Sequence, residues 1–287
     1  MPLRLGSARF GDDRAVVMAI VNRTPDSFYE RGATFSDEAA LSRVADVVGQ
    51  GAEIVDIGGV KAGYGAEVTV AEELDRTLDF VAAVRERYPD LVISVDTWRA
   101  QVAAELCRAG ADMVNDTWAG ADPELLAVAA EHGAGLVCSH TGGLGPRTDP
   151  HRIGYDDVMA DVVRSVTELA ERAVGAGVRR DGILVDPTHD FGKNTRHSLE
   201  LTRRLDELVA TGWPVLVALS NKDFVGETLD LPAAERLPGT LAATAVSAWL
   251  GARVFRAHNV AETRQALDMI ASVKGVRQPA VSRRGLA

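Results

Sequence analysis

The chain has 287 residues, 46% of them hydrophobic, and a formal net charge of −10. That acidic balance argues against non-specific nucleic-acid binding, which needs a basic face, but not against a small anionic ligand held by a few local cations. No apolar run approaches the roughly 20 residues of a membrane span, the opening "MPLRLGSARFGDD" lacks the apolar stretch of a signal peptide, and Cys107 and Cys138 show no metal or redox spacing. The expectation is a soluble cytoplasmic protein with two free thiols.

In chain order, the apolar runs are "AVVMAIVN", "AEIVDIGG", "LVISVDT", "ADMVND", "AGLVCSH", "DGILVDP", "WPVLVALS" and "ARVFRAH". Each is nearly continuous in apolar residues, as in a strand buried on both faces, and helical patterns separate them. Thr69 and Glu72 form a capping box ahead of Leu74, Leu78, Val81 and Val84, which repeat at helical spacing. Gly110, Gly133, Gly175 and Gly212 follow helical patterns where a left-handed residue is wanted. Asp12 and Asp13 read as a turn, and His132 and His151 as exposed loop or helix-end residues. Eight strands alternating with helices predict an α/β fold, a (β/α)8 TIM barrel over residues 1–275, followed by a loosely ordered tail at 276–287.

Polar residues recur where the apolar runs stop: Asn22, Asp56, Asp96, Asn115, His140, Asp186, Ser220 with Lys222, and Arg256 with His258. In a barrel these positions share the C-terminal mouth, where active sites of this fold are built. Asp96, Asn115, Asp186 and Lys222 offer acceptors and donors suited to a planar, nitrogen-rich heterocycle. Asn22, Arg256 and His258 supply donors for an anion beside it. The histidines lack zinc-ligand spacing, and no phosphate-loop signature is present. Trp98, Trp118 and Trp249 read as core or rim packing.

The segments "MAIVNRTPDSF", "VDIGG", "ISVDTWRAQVA", "VNDTWAG", "VDPTHDFGKN", "LSNKDFVGET" and "RAHNV", in this order, resemble the strand-end motifs of the dihydropteroate synthase family. The resemblance implies a dimeric barrel that joins p-aminobenzoate to a dihydropterin carrying a CH2-diphosphate, with Mg²⁺ and loss of diphosphate, on the folate pathway. It implies pterin binding by Asp96, Asn115, Asp186 and Lys222, with Asp96, Asp186 and Lys222 serving the chemistry. Arg256 and His258 match the diphosphate-binding pair, and Asn22 matches a residue contacting both metal and diphosphate.

The departures cluster at the substrate loops. The family's second loop reads Gly-Glu-Ser-Thr-Arg-Pro-Gly; here Ala62 and Gly63 stand in place of its Thr and Arg. Asn221 replaces the arginine of Ser-Arg-Lys in the seventh run, Asn259 a common Asp, and Thr188, His189 and Asp190 replace Gly-Ile-Gly. Those last three side chains are expected to crowd or block the heterocycle pocket. The reading is a diverged paralogue that binds a pterin or aryl ligand with weak or lost synthase activity. Two alternatives stand beside it: a working synthase in which Lys61, Arg23 or Arg31 compensates, and a non-catalytic binding or regulatory protein for another cytoplasmic enzyme.

Overall fold

The computed structural model describes residues 2–24, 37–63, 65–148 and 154–285. Most of the first loop, including Arg31 and the Pro-Asp-Ser-Phe end of its motif, together with Tyr64 and His151, lies outside the described residues.

All eight expected strands form. They are β3 (Val16–Asn22), β4 (Ile54–Gly58), β5 (Val92–Asp96), β6 (Met113–Asp116), β7 (Gly135–Ser139), β8 (Ile183–Asp186), β9 (Leu216–Ala218) and β10 (Val254–Ala257). They pair in parallel in the order β8-β7-β6-β5-β4-β3-β10-β9, and a bridge between Val185 and Val215 brings β8 to β9. This is the (β/α)8 barrel.

Alternation within the runs divides two apolar layers. Val17, Ala19, Val21, Val55 and Ile57 face outward beneath the helices. Val16, Met18, Ile54, Val92, Met113, Val137, Leu184, Leu216 and Val254 fill the barrel's lower interior. One feature went unread in the sequence: a hairpin of β1 (Leu3–Leu5) and β2 (Ala8–Phe10). Its fully buried Leu3 and Leu5 join the lower interior and plug that end of the barrel. A Cβ on Gly135 would stand 2.5 Å from Leu5 Cδ2 and 2.9 Å from the Gly182 carbonyl, so the plug needs glycine there.

The helices that position the site are α1 (Asp37–Gly49), α2 (Val70–Arg87), α3 (Ala100–Arg108), α4 (Leu125–Glu131) and α5 (Val158–Gly175), followed by α6 (Thr195–Arg203), α7 (Leu205–Val209), α8 (Asp223–Leu229), α9 (Leu237–Leu250) and α10 (Val260–Val273). The Thr69–Glu72 capping box opens α2 as expected. Buried Glu73 and Thr77 share its inner face with Phe80, Val81 and Val84, while Leu74 and Leu78 are only partly buried. Gly110, Gly133 and Gly212 take the expected left-handed conformation. Gly175 does not: it is the last residue of α5, and Gly177, at φ +105°, makes the reversal two residues later.

Candidate functional site

Above the apolar floor the inward-facing side chains turn polar. Asp56, Ser94, Asn115 and Arg256 follow Ile54, Val92, Met113 and Val254 on the inward face of their strands, and adjacent registers bring them together. Fully buried Asp56 is the hub. It accepts from Ser94 Oγ at 2.7 Å, Asn115 Nδ2 at 3.1 Å and Arg256 Nε at 2.6 Å. Arg256 extends its other arm to Asp96, with Nη2 2.8 Å from Oδ2, and Thr117 Oγ1 lies 3.1 Å from Asp96 Oδ1. Two carboxylates thus share one guanidinium, which fixes all three rotamers.

Six of the seven sequence-predicted residues, namely Asp96, Asn115, Asp186, Lys222, Arg256 and His258, line a single inner cavity of about 220 Å³ with Thr188, Phe191 and Ala62. Burial pushes Asp96 up to about 7 against the opposing pull of Arg256, and nearby Asp56 adds to the rise. Burial likewise raises Asp186 to about 6, although the Thr188 amide donates to it at 2.7 Å. Lys222 is lowered, again by burial, and its Nζ sits 4.4 Å from the centre of the Phe191 ring. His258 falls to about 3, so it is neutral at pH 7; its Nδ1 is 3.1 Å from Ser220 Oγ. The seventh residue, Asn22, ends β3 beside this cavity: a Cβ on Gly58 would be 3.9 Å from Asn22 Oδ1 and 3.8 Å from Asp96 Oδ2.

A second cavity of about 240 Å³ adjoins the first, sharing Ala62, Phe191 and Lys222. It is built from loops, and Trp118, Leu144, Thr148, Asp190 and Asn221 complete most of its wall. Trp118, expected only to pack, is buried and meets Phe191 edge to face with ring centroids 5.4 Å apart. Asp116 holds it in place by accepting the Trp118 amide at 2.9 Å and the Gly120 amide at 2.6 Å.

The segment at 188–190 corrects an expectation. Thr188 lines the inner cavity, but His189 points away from it, fully buried, with Nε2 3.1 Å from Thr202 Oγ1 and its ring stacked on Phe224. The pocket is not blocked, because Thr188 and Asp190 adopt the left-handed conformation at φ +54° and +70°. Non-glycine residues rarely hold it, and local contacts secure it here. Thr188 Oγ1 donates to the Asp186 carbonyl at 2.9 Å and accepts from the His140 amide at 3.0 Å.

Lys193, the lysine of the Phe-Gly-Lys motif, has a role that the sequence alone does not indicate. It is buried, and its ammonium donates to the carbonyls of His140, Thr188 and Phe191 at 2.9, 3.1 and 2.8 Å. Burial lowers it to about 7. It ties the β7 and β8 loops together under Phe191.

Two of the three residues expected to compensate for the lost arginine, Arg23 and Lys61, line neither cavity, and the third, Arg31, falls outside the described residues. Arg23 is buried over the Phe80 ring at 4.7 Å, pairs with Asp37 and donates to the Arg76 carbonyl at 3.1 Å. It packs on α1 and α2 and lines neither cavity. Lys61 is exposed and also lines neither. No group of three or more His, Cys, Asp or Glu residues suited to a metal occurs among the described residues, and none of their helices is long and apolar enough to cross a membrane.

A family model described as pterin binding enzyme matches residues 18–258. The chain is 61% identical over 279 residues to the inactive dihydropteroate synthase 2 of Mycobacterium leprae, covering 96% of both proteins. It is 36% identical over 263 residues to the dihydropteroate synthase of Escherichia coli, covering 91% of this chain and 93% of that one. Among solved structures, the Yersinia pestis enzyme with a pterine–sulfa conjugate matches with a TM-score of 0.85 at 33% identity, covering 96% of this chain and 100% of the other.

Proposed function

The chain belongs to the pterin-binding enzyme family, and from that premise we propose that it is a dihydropteroate synthase paralogue that still holds a pterin-like heterocycle while its synthase activity is weak or lost. One observation carries the reading. The inner cavity keeps its ring of strand-end donors and acceptors, whereas the second loop presents Ala62 and Gly63, which bring no polar side chain to either cavity. The Mycobacterium leprae relative, inactive by name, agrees with it.

In this reading the inner cavity takes the heterocycle. Asp96 and Asp186 accept from its ring N–H and amino groups, and Asn115 and Lys222 donate to its oxygen and nitrogen. The outer cavity takes an aryl ligand, as the pterine–sulfa conjugate bound by the Yersinia pestis enzyme suggests. Breaking the C–O bond of a pterin-CH2-diphosphate puts negative charge on the leaving group, and the donors for it are Arg256, His258 and Asn22. Arg256 is already shared between Asp56 and Asp96. His258 is neutral, and the second loop adds no cation. Loss of fixed donors to a developing anion costs about 3 kcal/mol each, enough to stall the reaction.

Asn22, whose Oδ1 lies beside Gly58 at the end of β3, is the residue we propose would hold magnesium. Bound there, it would supply further charge neutralisation for a diphosphate.

The assembly we propose is a homodimer. Val246 and Trp249 on α9, Met269 and Val273 on α10, and Val276 beyond it are large apolar side chains left exposed, Trp249 at 54% and Met269 at 63%. Such a concentration marks an interaction surface. The free thiols of Cys107 and Cys138 suit a reducing cytoplasm, where we place the protein.

The test combines purified protein, Mg²⁺, dihydropterin-CH2-diphosphate and p-aminobenzoate, following diphosphate release, with calorimetry against the pterin. Pterin binding with turnover at least about a hundredfold below that of an ordinary synthase is expected. Turnover matching an ordinary synthase overturns the paralogue reading, and absence of pterin binding overturns the ligand.

A further inference from the structure

The outer cavity has a charge pattern of its own. Its walls are apolar and flat: Trp118, Phe191, Leu144 and Ala62. Its polar end is made by Asp190, Asn221, Lys222 and Asp223. Asp190 Oδ2 accepts the Asp223 amide at 2.6 Å and the Phe224 amide at 3.4 Å, and Ser198 Oγ donates to Oδ1 at 3.1 Å. The backbone amides at this end are therefore already engaged by a carboxylate of the protein itself. A ligand carboxylate at the same end meets a like charge.

The cations nearby do not reverse that balance. Lys222 faces Asp190 and Asp186, both of which favour its charged form. Arg236 lies behind the loop and donates to the carbonyls of Asn221 and Lys222 at 3.0 and 3.3 Å and to Asp223 at 2.8 Å. Arg147, on the opposite rim, donates to the carbonyls of Gly63 and Ala66 at 3.3 and 2.7 Å. Lys61 is exposed, and its charge is screened by water.

One donor beside the cavity is unsatisfied. The Asn221 side-chain nitrogen is buried without an acceptor among the described residues, and Asn221 lines this cavity in a left-handed conformation, φ +59°. A buried N–H without a partner is costly, and rotation of the Asn221 side chain toward the cavity would let a ligand oxygen relieve it.

We propose that the outer cavity selects an uncharged aryl ligand bearing a hydrogen-bond acceptor over an aryl carboxylate, and that Asp190 sets this preference. The inference rests on the reading that this cavity holds an aryl ligand. It makes the Gly-to-Asp change at 190 a change of specificity rather than simple decay. Asp190 excludes the charge of p-aminobenzoate while leaving room for its ring.

p-Aminobenzoate and p-aminobenzamide share a ring and an amine and differ at pH 7 in the charge of one substituent. Calorimetry at low ionic strength, with pterin present, is expected to show the amide binding about tenfold or more tighter than the carboxylate. Asp190→Asn keeps an oxygen for the Asp223 and Phe224 amides and a residue type that tolerates positive φ, so the fold is retained and a matching melting temperature verifies it. This variant is expected to gain about tenfold in carboxylate affinity with the amide unchanged. A wild-type protein that prefers the carboxylate or binds both equally, or an Asp190→Asn variant with an unaltered ratio, overturns the inference and leaves the aryl reading standing. If neither compound binds, the aryl reading falls and the inference with it.

Discussion

The inner and outer cavities touch, yet they are built from different material. The inner one is lined chiefly by residues at or near strand ends, and Asp56, Arg256 and Asp96 join one side of it into a hydrogen-bonded cluster with Asn115 and Thr117. The outer one is made of loop residues, and its neighbourhood concentrates the backbone strain. Of the six described non-glycine residues with positive φ, Ala119, Arg147, Thr188, Asp190 and Asn221 sit in the loops around the mouth, and only Asp230 does not. The motif departures at Ala62, Gly63, Thr188, His189, Asp190 and Asn221 fall in the same loops. Strand-end residues are coupled to the barrel core, so changing them costs stability. Loop residues can change with little cost to the fold, and divergence has proceeded there.

The largest expected effect comes from breaking the strand-built cluster. Arg256→Met removes the cation shared by Asp56 and Asp96, the first of them fully buried. Leaving buried carboxylates unpaired is expected to cost about 3–5 kcal/mol in urea unfolding. A loss below about 1 kcal/mol would show that the cluster relaxes and that the contrast with the loops is overstated.

A pH series probes the same cluster more gently. In the folded protein burial raises Asp96 to about 7, above its unfolded value near 3.8. Between these values the folded state binds the extra proton, so Asp96 contributes stability at low pH that is lost as pH rises toward 7. The stability of the wild type minus that of Asp96→Asn should therefore fall between pH 4 and pH 7, by at most about 1.4 kcal/mol per unit. The comparison with the variant is needed because other groups oppose the trend. Burial lowers His140 to about 4, and His189 and His258 to about 3, and these histidines favour the folded state as pH rises toward 6.5. A flat difference would mean that Arg256 holds Asp96 as a carboxylate against its burial.

The same division explains what could be read from the sequence. Strands buried on both faces appear as unbroken apolar runs, and the polar residue ending each run is placed by register alone. Asp96, Asn115, Asp186 and Arg256 are legible for that reason, while Lys222 stands beyond β9 at the start of α8 and His258 just past β10. The direction of His189 is not legible, because it follows from left-handed backbone at Thr188 and Asp190, which no local rule assigns to a Thr. Lys193 sits within a motif, but its three carbonyl partners belong to two loops that only the barrel brings together. The hairpin at Leu3–Leu5 and Ala8–Phe10 was missed because three-residue strands carry too little pattern. Trp118 was read as packing, and it does pack, but against the aromatic wall of a cavity.

The smallest expected effect lies in the loops, and it sharpens the comparison most. Arg147 crosses from the loop after β7 to the second loop, where its guanidinium donates to Gly63 and Ala66. Both partners are exposed backbone, so Arg147→Ala is expected to cost no more than about 1 kcal/mol of global stability. Locally the same change removes a tie between two loops that border the outer cavity, and hydrogen exchange of residues 59–66 should accelerate several-fold while β4 stays protected. Lys61→Ala, which breaks no such tie, should alter neither quantity beyond about 0.5 kcal/mol. If Arg147→Ala instead destabilises the barrel as much as Arg256→Met, the second loop is part of the folding core. The loss of its Thr and Arg would then have been constrained by stability and not only by chemistry.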